Sequence, residues 1–263
     1  IIRRKTLRGI SMHIKLEDIS TKKSGSTEIS MLSNFNEVVE RKSHELMISH
    51  KDNLLAIPYI EFAFFFDKSG SVSGTETTMC DYLRKLINKY KQSELNILFT
   101  FVTFSDTDEV LYYRCPLNQV DKLYYVADNW TSLYDSLFKN ISTLVSHQID
   151  ANGIASKTIV TIMTDGMDNR SRLHSEHDVQ KVVQYTKSLG WEYIFLSKDD
   201  LKCDSFIGID LDHIGIYNDF QSIEKCFCAI DKAIESYISS GIVDKNWKHS
   251  LNSNVLRLTK KGD

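Results

Sequence analysis

Three oxygen-bearing side chains follow the first strongly apolar segment of the chain. Asp67, Ser69 and Ser71 stand directly after the run 62–66 and are spaced i, i+2 and i+4. In a turn that leaves a strand, this spacing allows three side-chain oxygens to converge on one point. An Asp-x-Ser sequence after a strand can equally be a helix cap or a simple turn.

Two further loops carry oxygen ligands. Thr131 ends the polar sequence DNWT and opens a predicted helix, and Asp165 stands in a Thr-Asp-Gly turn after another apolar run. Carboxylates and hydroxyls, without His or Cys, are hard ligands that suit Mg²⁺ or Mn²⁺ in octahedral geometry with retained waters. If the strands before these loops are neighbours, the sequence predicts one divalent-cation site formed by Asp67, Ser69, Ser71, Thr131 and Asp165.

Strands and helices alternate along the middle of the chain. Continuous apolar runs indicate strands buried on both faces, whereas apolar residues that recur every three or four positions indicate helices. This pattern predicts an α/β fold with a doubly wound, mostly parallel central sheet flanked by helices, in which ligands bind beyond the carboxyl ends of the strands. The predicted strands are 59–66, 95–104, 109–114, 157–163, 191–196 and 213–217, and the predicted helices are 75–90, one from about 131, 174–189 and 220–237.

The length and apolar content fit one domain with flanking segments. The chain has 263 residues, of which 42% are hydrophobic and 25% are charged, as in a globular protein with a real core. We expect an N-terminal flank over 1–56 with one amphipathic helix from 28 to about 50, a domain over 57–241 and a C-terminal tail over 242–263.

Charge, apolar runs and cysteines limit the classes of partner. The net charge is −3 and the basic residues concentrate only at the two ends, so we expect no nucleic-acid partner. The longest apolar runs are far shorter than a membrane helix, so we expect no membrane partner. Five cysteines, an odd number spread widely, predict a reducing compartment and hence a cytoplasmic location.

Three stretches of the sequence together resemble a known family. FFFDKSGSV resembles the D-x-S-x-S motif of the von Willebrand factor type A (vWA) domain, NWTSLYDSL its second motif with a Thr opening a helix, and IVTIMTDGMDN its third, a strand ending in T-D-G. The resemblance covers about residues 57–240. It implies a Rossmann-like vWA fold with an intact metal-ion-dependent adhesion site (MIDAS).

The resemblance also implies a role for each ligand. Ser69 and Ser71 would bind the metal directly, Thr131 would bind it in the ligand-bound state, and Asp67 and Asp165 would act mainly through metal-bound waters. TDGMDNRSR and LGWEYIFL are most similar to small stand-alone vWA proteins of bacteria and phages. The chain departs from those proteins at 197–199, where they have a Gly-Ala-Asn turn, and at 129–130, where the family has two glycines.

The implied function is a non-catalytic, divalent-cation-dependent protein-binding module, in which the Mg²⁺ or Mn²⁺ ion accepts an Asp or Glu from a protein partner. The helix over 220–237 is a candidate output element, because in the family the last helix can shift when the site is filled. Two alternatives are a metal-dependent hydrolase or phosphotransferase on the same sheet and a scaffold with a vestigial site. A haloacid-dehalogenase-like phosphatase would need a second carboxylate where this chain has Ser69.

Overall fold

A six-stranded mixed sheet forms the centre of the protein. The computed structural model describes residues 58–128, 130–150, 157–198, 205–217 and 222–252. The strands are β1 (Ile60–Asp67), β2 (Ile97–Phe104), β3 (Asp108–Pro116), β4 (Lys157–Thr164), β5 (Trp191–Ser197), β6 (Ser205–Phe206), β7 (Ile209–Asp210) and β8 (Ile214–Ile216). Their order in the sheet is β3-β2-β1-β4-β5-β8, in which β3 is antiparallel to β2 and the other neighbours are parallel, while β6 and β7 form a separate antiparallel pair.

Helices cover both faces of this sheet. They are α1 (Glu76–Lys91), α2 (Leu133–Asp150), α3 (Glu176–Ser188), α4 (Ile223–Ser240) and the short α5 (His249–Asn252). The helix α1 packs with α4, and α2 packs with α3. The predicted α/β, doubly wound and mostly parallel architecture is therefore confirmed. No helix in the part of the chain that the structure describes is both long and apolar enough to cross a bilayer.

The central strand β1 carries apolar side chains on both of its faces, so helices must cover both sides of the sheet. All eight of its residues are buried. Phe62, Phe64 and Phe66 belong to the core beneath α1 and α4, and their rings pack edge-on or tilted against neighbouring aromatic rings. The alternate residues Glu61, Ala63, Phe65 and Asp67 point to the opposite face, because successive side chains of a strand alternate.

Most predicted elements lie within a few residues of their expected positions, as far as they fall in the described ranges. The helix that we expected from about 131 begins at Leu133, and the closing helix, expected over 220–237, is Ile223–Ser240. The two-residue strands β6 and β7 and the four-residue helix α5 were not predicted, because so few residues carry no periodic signal. The flank 1–56, with its helix from 28 to about 50, lies outside the described residues, so that prediction stays untested.

The chain after α4 folds back on the edge of the sheet. Gly241 ends α4 in the left-handed region (φ 79°), which a glycine adopts without strain. Val243 and Trp247 then become buried in the core. The indole N–H of Trp247 donates to the carbonyl of Asp212 over 2.8 Å, which holds this segment beside β8.

Candidate metal centre

The point where the strand order reverses lies between β1 and β4. The chain moves from β1 through α1 to β2 on one side, and from β4 through α3 to β5 on the other. In open α/β sheets this switch point leaves a crevice beyond the carboxyl ends of the two strands, where ligands bind. Asp67 ends β1 and Asp165 directly follows β4, so both predicted carboxylates border this crevice.

The turn after β1 gathers three of the predicted ligands. The backbone N–H of Ser69 donates to Oδ1 of Asp67 over 2.7 Å, and a single 3₁₀ turn follows over Gly70–Val72. This turn places the hydroxyl oxygens of Ser69 and Ser71 3.0 Å apart. Ser69 is buried and Ser71 is exposed, so the group of oxygens opens to solvent on the side of Ser71.

The loop after β4 joins this group. The Ser71 hydroxyl donates to Oδ1 of Asp165 over 2.7 Å, and the Thr164 hydroxyl donates to Oδ2 of Asp67 over 2.6 Å. The structure thus brings four of the five predicted residues, Asp67, Ser69, Ser71 and Asp165, into one hydrogen-bonded network. Thr164 was missed as a site residue, although the signal was present in the first letter of the T-D-G motif.

Thr131 approaches from the third loop. Its backbone N–H donates to Oδ1 of Asn169 over 3.0 Å, and its carbonyl accepts from the backbone N–H groups of Asn169 and Arg170, both over 3.1 Å. These contacts bind the Thr131 loop to the loop that carries Asp165. Within the described residues, however, the Thr131 hydroxyl forms no hydrogen bond with the other four predicted ligands. The contact of Asn169 with the Thr131 loop was not predicted from the sequence. The only local signal for it was that Asn169 stands four residues after Asp165, on the same loop.

The loop after β1 is also tied to its neighbours through Lys68. Its backbone N–H donates to the carbonyl of Phe104 over 2.8 Å, and its carbonyl accepts from the N–H of Asp128 over 2.6 Å. The Lys68 ammonium group forms an ion pair with Glu109 over 3.2 Å. The positive charge that follows Asp67 in sequence is thereby matched by a carboxylate outside the candidate site.

Burial dominates the electrostatics of Asp67. The side chain is only 2% exposed, and this desolvation raises the pKa of its carboxyl group, against the hydrogen bonds from Thr164 and Ser69, which lower it. The charge of nearby Asp165 raises the pKa further. A cation placed between the two carboxylates would remove this repulsion and favour their ionised forms.

The oxygens fit a small hard cation. Neighbouring ligand oxygens in an octahedral magnesium site lie about 2.9 Å apart, because each Mg–O bond is about 2.0–2.1 Å long. The Ser69–Ser71 separation of 3.0 Å, between the two hydroxyls that would bind the ion directly, is close to that value. The hydroxyl protons that bridge these oxygens would turn away from a bound ion. Among the described residues no three His, Cys, Asp or Glu side chains cluster, so any cation here depends on hydroxyl ligands.

Comparisons with known proteins give a likeness of fold at low sequence identity. No protein-family model and no curated protein matches the chain. Solved structures that match include a von Willebrand factor type A protein from Catenulispora acidiphila (17% identity, TM-score 0.46, 68% of this chain and 43% of that one). A second is a mutant of the PilB minor pilin from Streptococcus sanguinis, with 15% identity and a TM-score of 0.48 over 72% of this chain and 64% of that one. A third is proximal thread matrix protein 1 from the mussel byssus, with 16% identity and a TM-score of 0.47 over 66% of this chain and 45% of that one. The chain matches less than two thirds of the length of each, and at these identities the likeness concerns the fold alone.

Proposed function

We propose that this protein is a non-catalytic module that binds a protein partner through a Mg²⁺ or Mn²⁺ ion held by Asp67, Ser69, Ser71 and Asp165, with Thr131 as a further ligand. One observation carries the proposal. Oxygens from two loops that are 94 residues apart in the chain meet at the switch point of a doubly wound sheet, and the group is exposed to solvent at Ser71.

The choice of ligands indicates what such an ion would do. Ser69 and Ser71 would contribute neutral hydroxyl oxygens, and these would quench the charge of a cation less than carboxylates would. A bound ion would therefore offer a strongly electrophilic coordination position to an Asp or Glu of the partner. Because Ser71 is exposed, a partner carboxylate would reach such an ion from the solvent side of this residue.

The enzymatic alternative lacks a group that it needs. A phosphotransferase that used Asp67 as nucleophile would need a second carboxylate two residues later to protonate the leaving group. That position is Ser69, which lies within hydrogen-bond distance of Ser71. We therefore propose binding rather than catalysis, and the absence of phosphoesterase turnover in the Mg²⁺-loaded protein is the corresponding expectation.

Calorimetric titration of the full chain with Mn²⁺ tests the site. We expect saturable binding at one site, and we expect its loss in the double variant Ser69→Ala, Ser71→Ala. The matched control is Ser73→Ala, because Ser73 is an exposed serine of the same turn that lies outside the hydrogen-bonded network. If the double variant binds Mn²⁺ as tightly as the control does, the ligand assignment is wrong. If the native chain binds no Mn²⁺, the vestigial-site alternative holds.

A further inference from the structure

Bulky apolar side chains stand exposed on the two loops that border the candidate metal centre. Trp130, which precedes Thr131, is 59% exposed, and Met167, two residues after Asp165, is 43% exposed. A tryptophan left in water beside a binding site is a strong candidate for a binding hot spot, because burying its ring against a partner removes a large apolar area from water.

The two loops are fastened to each other and to the body of the domain. The carbonyl of Thr131 accepts from the backbone N–H of Arg170 over 3.1 Å. This hydrogen bond joins Arg170 directly to the residue that follows Trp130. The N–H of Trp130 donates to Oδ1 of Asp106 over 3.1 Å. Because these hydrogen bonds already hold the backbone of the two loops, the binding of a partner would cost little conformational entropy there.

Two exposed arginines, Arg170 and Arg172, lie on the loop that follows Asp165. Neither guanidinium group has an ion-pair partner among the described residues. The same loop is held rigidly, since the Asp135 carboxylate accepts backbone N–H bonds from Arg172, Leu173 and His174 over 2.8, 3.0 and 2.7 Å.

The acidic side chains around these arginines are occupied by other contacts. Asp135 is bound by the three N–H groups just described, and Asp168 accepts from the backbone N–H groups of Tyr134 and Ser171 over 3.4 and 3.3 Å. The carboxylate of exposed Asp106 accepts from the N–H of Trp130, and Asp128, which is also exposed, precedes Trp130 by two residues. Neither Asp135 nor Asp168 forms an ion pair with Arg170 or Arg172 within the described ranges, so both guanidinium groups are available to a carboxylate of a partner.

We propose that a docking rim formed by Trp130, Met167, Arg170 and Arg172 selects a short acidic segment of a partner protein that also carries a bulky apolar side chain. This inference rests on the proposed function, because one carboxylate of the segment goes to the cation. A second carboxylate meets the unpaired arginines, and the apolar side chain covers Trp130 and Met167. A partner of this rim therefore needs a second carboxylate and an apolar side chain in addition to the Asp or Glu that binds the cation.

Selection from random peptides displayed on phage tests this composition without knowledge of the natural partner. The full chain is panned in Mg²⁺ and, in parallel, in EDTA. We expect the peptides enriched only in Mg²⁺ to contain two or more acidic residues next to an aromatic or aliphatic residue. Enrichment of basic or purely polar peptides would overturn the inference, as would no Mg²⁺-dependent enrichment from a chain that binds Mn²⁺.

Variants of the rim then test the contacts with an enriched peptide by fluorescence polarisation in Mg²⁺. We expect Trp130→Ala to weaken binding about tenfold and Arg170→Glu to weaken it about fivefold, with the second effect shrinking at high salt. Ile242→Ala and Lys232→Glu are the controls, because both residues are exposed and lie on or after α4, outside the rim. Equal binding by rim and control variants would overturn the inference.

Calorimetry with Mn²⁺ on the same rim variants separates the two proposals. Trp130→Ala and Arg170→Glu should bind Mn²⁺ as the native chain does, since neither side chain is a proposed ligand. If Mn²⁺ binding is intact while the peptide results fail, the docking rim is wrong and the proposed metal site stands. If the native chain binds no Mn²⁺, both proposals are wrong.

Discussion

Glu61 is a buried carboxyl group whose ionisation should oppose folding as the pH rises through neutrality. It lies in the central strand β1 and is 0% exposed. Its carboxylate accepts from Nε of Arg114 over 3.2 Å and from the hydroxyl of Thr100 over 3.3 Å. Burial raises the pKa of Glu61 to about 7, and the opposing effect of the Arg114 charge does not compensate for it.

A β-bulge brings Arg114 to this carboxylate. Between the pairs Phe99–Cys115 and Phe101–Tyr112, the single residue Thr100 faces two residues of β3. Arg114, one of these two, has a φ of 46°, in the left-handed region. Its guanidinium group also donates to the Tyr59 hydroxyl over 2.8 Å.

The sign of the pH effect follows from where the proton binds more tightly. Because the pKa of Glu61 is about 7 in the folded chain and 4.5 in the reference state, the folded state binds more protons between these values. Stability should therefore fall as pH rises through this window. A difference of 7 − 4.5 = 2.5 pKa units corresponds to about 3 kcal/mol, of which roughly 2–3 kcal/mol is lost between about pH 5 and about pH 8.

The variant Glu61→Gln removes this titration. We expect the free energy of unfolding of the native chain to fall by roughly 2–3 kcal/mol more than that of the variant between about pH 5 and about pH 8. Any cost of replacing the carboxylate beside Arg114 is a constant offset and cancels in this double difference. Urea unfolding followed by far-ultraviolet circular dichroism at both pH values measures it.

The matched control is Glu94→Gln, because Glu94 is an exposed glutamate near the start of the neighbouring strand. Its stability difference from the native chain should not depend on pH. If the native and Glu61→Gln proteins lose stability in parallel between the two pH values, Glu61 does not titrate in this range and the reasoning from its burial is refuted.

Three further predictions concern packing and the metal. Trp247→Ala should lower the free energy of unfolding by about 3–5 kcal/mol, because this side chain is 1% exposed in the core; denaturant titration measures the loss. Gly215→Ala should lower it by about 1–3 kcal/mol, because an added Cβ would stand 2.7 Å from a methyl carbon of Leu251; thermal melts show it as a lower Tm. Mg²⁺ at a hundredfold excess over its Kd should raise the free energy of unfolding of the native chain by about 3 kcal/mol. Calorimetric melts measure this effect, which should be absent from the Ser69→Ala, Ser71→Ala variant.

Matched variants sharpen the two packing predictions. Trp130→Ala removes an exposed tryptophan and should leave stability nearly unchanged, in contrast to Trp247→Ala. Gly166→Ala adds a Cβ that meets no atom within 4 Å, in contrast to Gly215→Ala. A similar loss at the exposed and buried positions, or at the open and crowded glycines, would show that the described packing does not determine stability.

The sequence by itself determined the order and kind of the main elements, because their signals are local. The run YIEFAFFF is apolar enough to require cover on both faces, and the stripe of apolar residues in α1 has helical spacing. The two carboxylates and two serines of the candidate site were also visible, since each directly follows a recognisable buried strand. Thr131 was visible in the same way, but its role as a ligand stays a prediction.

Only the tertiary structure decided which of these residues meet. Asp67 and Asp165 share a network because β1 and β4 are neighbours, and no local pattern states the order of strands. The pairing of Glu61 with Arg114, 53 residues away, depends on a bulge between β2 and β3, and the burial of Trp247 depends on the chain returning to β8. The physical reason is that periodicity reports which face of an element is buried, whereas the neighbour across that face is chosen by the packing of the whole domain.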